Sequence, residues 1–256
     1  MLRFMASPGA SALALVVLFA SFGGCRRAQE SEPREGGGGG AGFAADLRPT
    51  PVAGGNTLTG AGVETLTAGA SPEDVLPLVA VLGDPSTAGA LEEVFRGLPV
   101  AARFMVLLPS SGAESRLGAE AEELGQLLTR LRGARATRGK PVVLGAGRGG
   151  SVALAYAARA PRELGAVIVA GAELPPIALP QGPPPDVGTR PLRVYIHHGS
   201  RDAVTPVARA GAASDELALR GLSAVLHLDP RGEHHLSPHL IAEMRARLTE
   251  ELRDLR

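Results

Sequence analysis

The chain has 256 residues, 45% of them hydrophobic and 20% charged, enough for the core of one ordinary domain plus a leader. Lys+Arg and Asp+Glu are both 26, and a formal net charge of +0 removes the electrostatic case for nucleic acid or an anionic surface as partner. Trp is absent and aromatics make up 3%, so platforms for stacking bases or sugars are poorly supplied as well.

Residues 1–25 read as a targeting segment. Arg3 gives a positive start, residues 11–22 form an apolar run centred on Leu13, Leu15, Val16, Val17, Leu18 and Phe19, and Gly23 and Gly24 precede Cys25. The run is short for a transmembrane span. It resembles a bacterial lipoprotein signal, in which the cysteine is acylated, although Phe22 stands where an aliphatic residue is usual. A simple secretory signal and an uncleaved anchor are the alternatives. The resemblance implies a lipoprotein of the bacterial cell envelope, held to the membrane through Cys25. That residue is the only cysteine, so no intrachain disulfide can form. Residues 26–58 read as a flexible linker, with Glu30, Glu32, Arg34 and Glu35, five glycines at 36–40, then Pro49 and Pro51.

Residues 59–256 carry the pattern of a folded domain. Residues 63–67 alternate weakly and predict an edge strand. The apolar run at 78–82 predicts a buried strand, 104–108 another apolar strand, and 142–144, 166–169, 192–196 and 224–228 further strands. Between them, Leu91, Val94, Phe95 and Leu98 have helical spacing, as do Leu117, Ala121, Leu124, Leu128 and Leu131. Further helices are predicted over 151–159 and 207–219, and a last one on the stripe Ile241, Met244, Leu248, Leu252 and Leu255. Strands alternating with helices predict an α/β fold with a mostly parallel central sheet and helices on both faces. Chemistry is then expected in the loops beyond the carboxyl ends of the strands.

Three such loops stand out. The first, Gly145-Ala146-Gly147-Arg148-Gly149-Gly150, has the glycine positions of a G-x-S-x-G nucleophile elbow, with Gly147 where the serine belongs. The second runs from His197 through Asp202 to Pro206, and the third from Asp229 through Glu233, His234 and His235 to Pro238. Elbow, then Asp, then His is the chain order of α/β-hydrolases.

Over about residues 76–244 the chain resembles the phospholipase/carboxylesterase branch of the α/β-hydrolases, which acts on carboxylic esters of small acyl chains or lysophospholipids. The resemblance is carried by Val142-Val143-Leu144-Gly145 with Gly149-Gly150, by Ala170-Gly171-Ala172-Glu173-Leu174-Pro175-Pro176, by His198-Gly199-Ser200-Arg201-Asp202 through Val204 and Pro206, and by residues 232–238. It implies Asp202 as the triad aspartate and His234 as the triad histidine. His235 is the alternative, because Glu233 stands where the family usually has glycine. The oxyanion loop is expected at Gly83 and Asp84, with Arg148 following the elbow position. Here Leu82-Gly83-Asp84-Pro85 replaces the usual His-Gly, and Asp84 brings a negative charge to a site meant for an oxyanion.

Glycine at position 147 cannot form an acyl-enzyme, and removing a serine nucleophile costs on the order of 10⁶ in turnover. The favoured reading is therefore a pseudo-hydrolase that binds a small acyl-ester-like ligand or a protein partner. The alternative is an active ester hydrolase in which Asp202 and His234 activate water, or in which Ser151, Ser110 or Ser111 substitutes. A third reading takes Gly145, Gly147 and Gly150 as a G-x-G-x-x-G dinucleotide fingerprint with Glu173 as ribose carboxylate. It leaves the Asp202 and His234 loops unexplained. His197 and His198, or His234 and His235, lack a third ligand for a metal, and no cofactor is expected. The proline-rich segment 181–188 reads as a stiff surface loop, and the family resemblance implies that it borders a ligand cleft.

Overall fold

The structure is a computed structural model and describes residues 48–52, 55–59, 63–67, 75–84, 86–96, 98, 102–107, 116–134, 136–174, 192–234 and 236–255. All of them belong to one compact unit, Ala41–Arg256. Cys25, Ser110, Ser111, His235 and the 181–188 segment lie outside the described residues.

The strands, in chain order, are β1 Arg48–Val52, β2 Gly55–Thr59, β3 Val63–Thr67, β4 Leu76–Gly83, β5 Ala102–Leu107, β6 Thr137–Ala146, β7 Ala166–Ala170, β8 Arg193–Gly199 and β9 Ser223–Asp229. The helices are α1 Ala88–Val94, α2 Leu117–Ala134, α3 Arg148–Arg159, α4 Val207–Leu219 and α5 Pro238–Asp254. Strands β3 to β9 form one seven-stranded sheet in the order β3-β5-β4-β6-β7-β8-β9. Only the β3–β5 pairing in it is antiparallel. Strands β1 and β2 pair antiparallel as a separate two-stranded sheet, with Thr50 opposite Thr57. This hairpin falls inside the stretch read as linker. Pro49, Pro51 and the glycines hide it, because pairing is a property of two segments and the local composition reports only one.

Both faces of the central strands are buried, and period-two alternation shows it directly. In β4, Leu78, Ala80 and Leu82 join a core with residues of α2, α3 and α4, including Leu124, Leu154 and Leu217. Val79 and Val81 face the opposite way, into a core with Leu91 and Val94 of α1 and Met244, Leu248 and Leu252 of α5. Each fully buried leucine contributes about 1.5–3 kcal/mol. The expected fold class is thus observed. Strand β6 is longer than its apolar run, because residues 137–140 are not buried and carry Arg138 and Lys140. The register aligns the carboxyl ends: Ala146 pairs with Ala170, Ala170 with His197, and Gly199 with Asp229. The three loops singled out by the sequence therefore emerge side by side.

Candidate functional site

The first loop is a sharp strand-to-helix turn. Gly147 sits between β6 and α3 at φ 52° and ψ −125°, a left-handed backbone that side chains rarely tolerate. Its N–H donates to Ala170 O at 2.9 Å, and its carbonyl accepts from Ser151 N at 3.0 Å. A Cβ built on Gly147 meets nothing within 4 Å, so the turn aims into open space. The neighbouring glycines differ. A Cβ on Gly149 would collide with Leu82 O and, at 2.8 Å, with Gly83 N. One on Gly145 would lie 2.8 Å from Gly150 Cα. Helix α3 enters the sheet so closely that these positions admit no side chain.

The second and third loops meet over a buried carboxylate. Asp202 is 7% exposed, and its Oδ1 accepts from Val204 N and Thr205 N, each at 2.8 Å. His234 Nδ1 lies 3.1 Å from Oδ1 and 3.0 Å from Oδ2 of Asp202. Burial raises the Asp202 pKa, but the Thr205 N–H, His234 and the Val204 N–H outweigh it and hold the carboxyl below its usual range. With Asp202 ionised, Nδ1 of His234 is the donor and Nε2 the basic nitrogen. Backbone bonds from Ser200 N to Asp229 O and from Arg201 N to Gly232 O, both 2.9 Å, join the two loops. Gly199 permits the approach, since a Cβ there would strike Gly232 and Glu233 backbone. His198 braces the Asp202 turn from behind, its Nε2 2.7 Å from Thr205 O.

On β8, His197 is fully buried and stacked on His227 at 4.9 Å and 15°, and neither of its ring nitrogens has a hydrogen-bond partner among the described residues. Burial, then the neighbouring His227, Arg247 and His239, lowers its pKa to about 3 and keeps it neutral.

The loop after β4 is closed on itself. Asp84 Oδ1 accepts from Ser86 N at 2.7 Å, Ser86 Oγ at 2.6 Å and Thr87 N at 3.0 Å, and Thr87 N and Ala88 N also reach Asp84 O, each at 3.1 Å. Asp84 N donates to Thr87 Oγ1 at 3.0 Å. Residue 85 is proline and has no N–H. Every N–H from 84 to 88 is thus satisfied within the loop, whereas an oxyanion hole would draw one of its donors from such a loop. Burial raises the Asp84 pKa, but the Ser86 and Thr87 hydrogen bonds prevail and keep it lowered, so a carboxylate stands here.

Asp84, Ser86, Thr87, Gly147, Glu233 and His234 are among the residues around a cavity of about 180 Å³ at this end of the sheet. The structure therefore brings Gly147, Asp84 and the Asp202-bound His234 together around one cavity. Four other candidates are outside the cavity lining. Arg148 does not line the cavity; its NH2 binds both Glu120 oxygens on α2 at 2.9 Å, so only its backbone belongs to the turn. Ser151 Oγ lies 3.4 Å from Gly147 O and accepts from Glu173 N at 3.3 Å, and it too is outside the cavity lining. Glu173, the ribose-binding candidate, pairs with Arg209 at 2.6 Å. Gly83 lies under Thr87 and Leu91 side chains rather than open to the cavity. Sequence reasoning overlooked Thr87, although Asp-Pro-Ser-Thr after a strand is the signature of a side-chain-closed turn. Gly171, at φ 58°, lies against the pair: a Cβ there would be 3.8 Å from His234 O and 3.9 Å from Asp202 Oδ2. Among the described residues no three His, Cys, Asp or Glu side chains are grouped to hold a metal, and no helix is long and apolar enough to cross a membrane.

No family model matches the chain, and no curated protein matches it in sequence. Solved structures do match. Esterase PE8 is 20% identical, with a TM-score of 0.56 over 73% of this chain and 97% of its own. The Bacillus cereus carboxylesterase is 14% identical, with a TM-score of 0.59 over 74% and 94%. Alpha/beta hydrolase domain-containing protein 10 from mouse is 15% identical, with a TM-score of 0.54 over 83% and 100%. The chain has the α/β-hydrolase fold, and it resembles the carboxylesterases that share it.

Proposed function

We propose that this protein is a carboxylesterase-like pseudo-hydrolase that holds a small acyl-ester-like ligand or a protein partner in the cavity and does not carry out serine-based acyl transfer. The observation that carries the reading is Gly147: the backbone bends as a nucleophile elbow must, and the space ahead of it is open, yet no hydroxyl is attached there. The self-satisfied loop at Asp84 supports the same reading, because its N–H groups are already taken and an ionised carboxylate stands among the residues lining the cavity. We further propose that the signal-like leader and Cys25 tether the domain to a bacterial envelope membrane, which metabolic labelling with a palmitate analogue tests by loss of label in Cys25→Ser.

A second reading has one observation in its favour. His234 is aligned by Asp202 and borders the cavity that Gly147 leaves open, as a base for water would be. Turnover of p-nitrophenyl acetate separates the two. The pseudo-hydrolase reading expects no turnover from the parent and covalent labelling of Gly147→Ser by a fluorophosphonate. Parent turnover that His234→Ala abolishes would establish the water-based hydrolase instead.

A further inference from the structure

We infer that Thr87 locks the cavity against oxyanions by holding Asp84 N–H, so that restoring a serine at 147 alone leaves the site slow; this rests on reading the cavity as a hydrolase-type site. Acyl transfer needs at least two N–H donors about 2.7–3.1 Å from the developing oxyanion, one following the nucleophile and one from the loop after the early central strand. Here that loop is residues 83–88. Asp84 N–H is its one amide held by a side-chain hydroxyl alone, since the N–H groups of 86, 87 and 88 reach Asp84 itself and residue 85 has none. The hydroxyl is held in turn, donating to Asp84 O at 3.2 Å.

Position 83 fits the same device. A Cβ on Gly83 would come within 2.7 Å of Thr87 Oγ1 and 2.6 Å of Leu91 Cδ1, so glycine there is what lets the threonine fold back onto the strand end. The lock thus comprises a glycine that makes room, an aspartate whose carboxylate gathers the turn, and a threonine whose hydroxyl satisfies the amide an oxyanion would need. Releasing that amide requires only the loss of one oxygen, which Thr87→Val achieves with little change of shape.

The test uses the full chain in a series: parent, Thr87→Val, Gly147→Ser, Gly147→Ser with Thr87→Val, and Gly147→Ser with Thr87→Ser. Two readouts are taken, the rate of fluorophosphonate labelling and the acylation burst with p-nitrophenyl acetate. One oxyanion donor is worth about 10²-fold or more. Gly147→Ser should therefore react slowly, and adding Thr87→Val should speed acylation about 10²-fold. Adding Thr87→Ser, which keeps the hydroxyl, should not. Amide hydrogen exchange supplies a measure independent of chemistry: Asp84 N–H should lose at least tenfold in protection in Thr87→Val and keep it in Thr87→Ser. Equal acylation rates with threonine and valine at 87, or an unchanged Asp84 amide, overturn the lock while leaving the serine-less reading intact. Should the parent itself turn over ester, that reading falls; the lock then still requires Thr87→Val to be faster than the parent, and equality overturns it.

Discussion

The elbow at Gly147 and the junction of the Asp202 and His234 loops lie against the same cavity but keep their geometry for different reasons. The elbow is shaped by close approach: α3 sits so near β4 and β6 that Gly145 and Gly149 are enforced by packing, while Gly147, facing open space, is constrained only by its backbone angles. The Asp–His junction is shaped by hydrogen bonds. Asp202 closes the turn to Val204 and Thr205 and receives His234, and backbone bonds lash the two loops together. An Asp–His pair can therefore persist in a site without a nucleophile because it holds loops in place. Its presence is not by itself a sign of turnover. Glycine at 147 is also the residue that suits the bend best, since a serine held at that φ costs about 1–3 kcal/mol.

The comparison breaks most readily at Asp202. Asp202→Ala leaves two N–H groups and an imidazole without their acceptor and should lower unfolding free energy by about 3 kcal/mol in urea titrations. Asp202→Asn keeps the acceptor oxygen and should recover more than half of that. If Asn is no better than Ala, the carboxylate is not acting as a turn acceptor. The elbow gives a smaller contrast. Gly149→Ala drives a methyl into β4 backbone and should cost about 3 kcal/mol, against about 1–2 kcal/mol for Gly147→Ala, which meets no neighbour and is strained only by its angles. Equal losses would mean that α3 can shift off the sheet.

A separate effect, of comparable size, is the pH dependence set by His197 on β8. A neutral buried His197 has a folded pKa far below its unfolded value near 6.5, so the unfolded chain binds the extra proton on acidification. Its contribution is complete above about pH 6.5 and falls by up to about 1.4 kcal/mol per pH unit as pH drops towards 3. The lowered pKa of Asp202 adds a separate loss only below about pH 4. The urea midpoint should fall between pH 6.5 and 4.5 in the parent and flatten in His197→Phe; parallel curves would assign the slope to another group.

Much of this arrangement is legible in the chain. The apolar runs locate strands β4 to β9; the central ones are continuously apolar because both of their faces are buried, whereas edge strand β9 is largely unburied. Spacing and order place Gly147, Asp202 and His234 at one end of it. The β1–β2 hairpin is hidden by prolines and glycines, and the ion pair of the Arg148 side chain is not legible, because its partner Glu120 lies on another helix with no local signal linking them. Thr87 is passed over for the opposite reason: its turn is local, but its meaning depends on the loop that faces it.

The sequence by itself determined the architecture and the absence of a hydroxyl at 147, since hydrophobic period and residue identity are properties of the chain alone. Only the tertiary structure decided that the elbow keeps its bend without a serine, that Asp202 is held by two backbone amides and an imidazole, and that Asp84 N–H is already taken. Each of these depends on distances between segments far apart in sequence or on the angles of a single turn, and neither is written in composition or spacing.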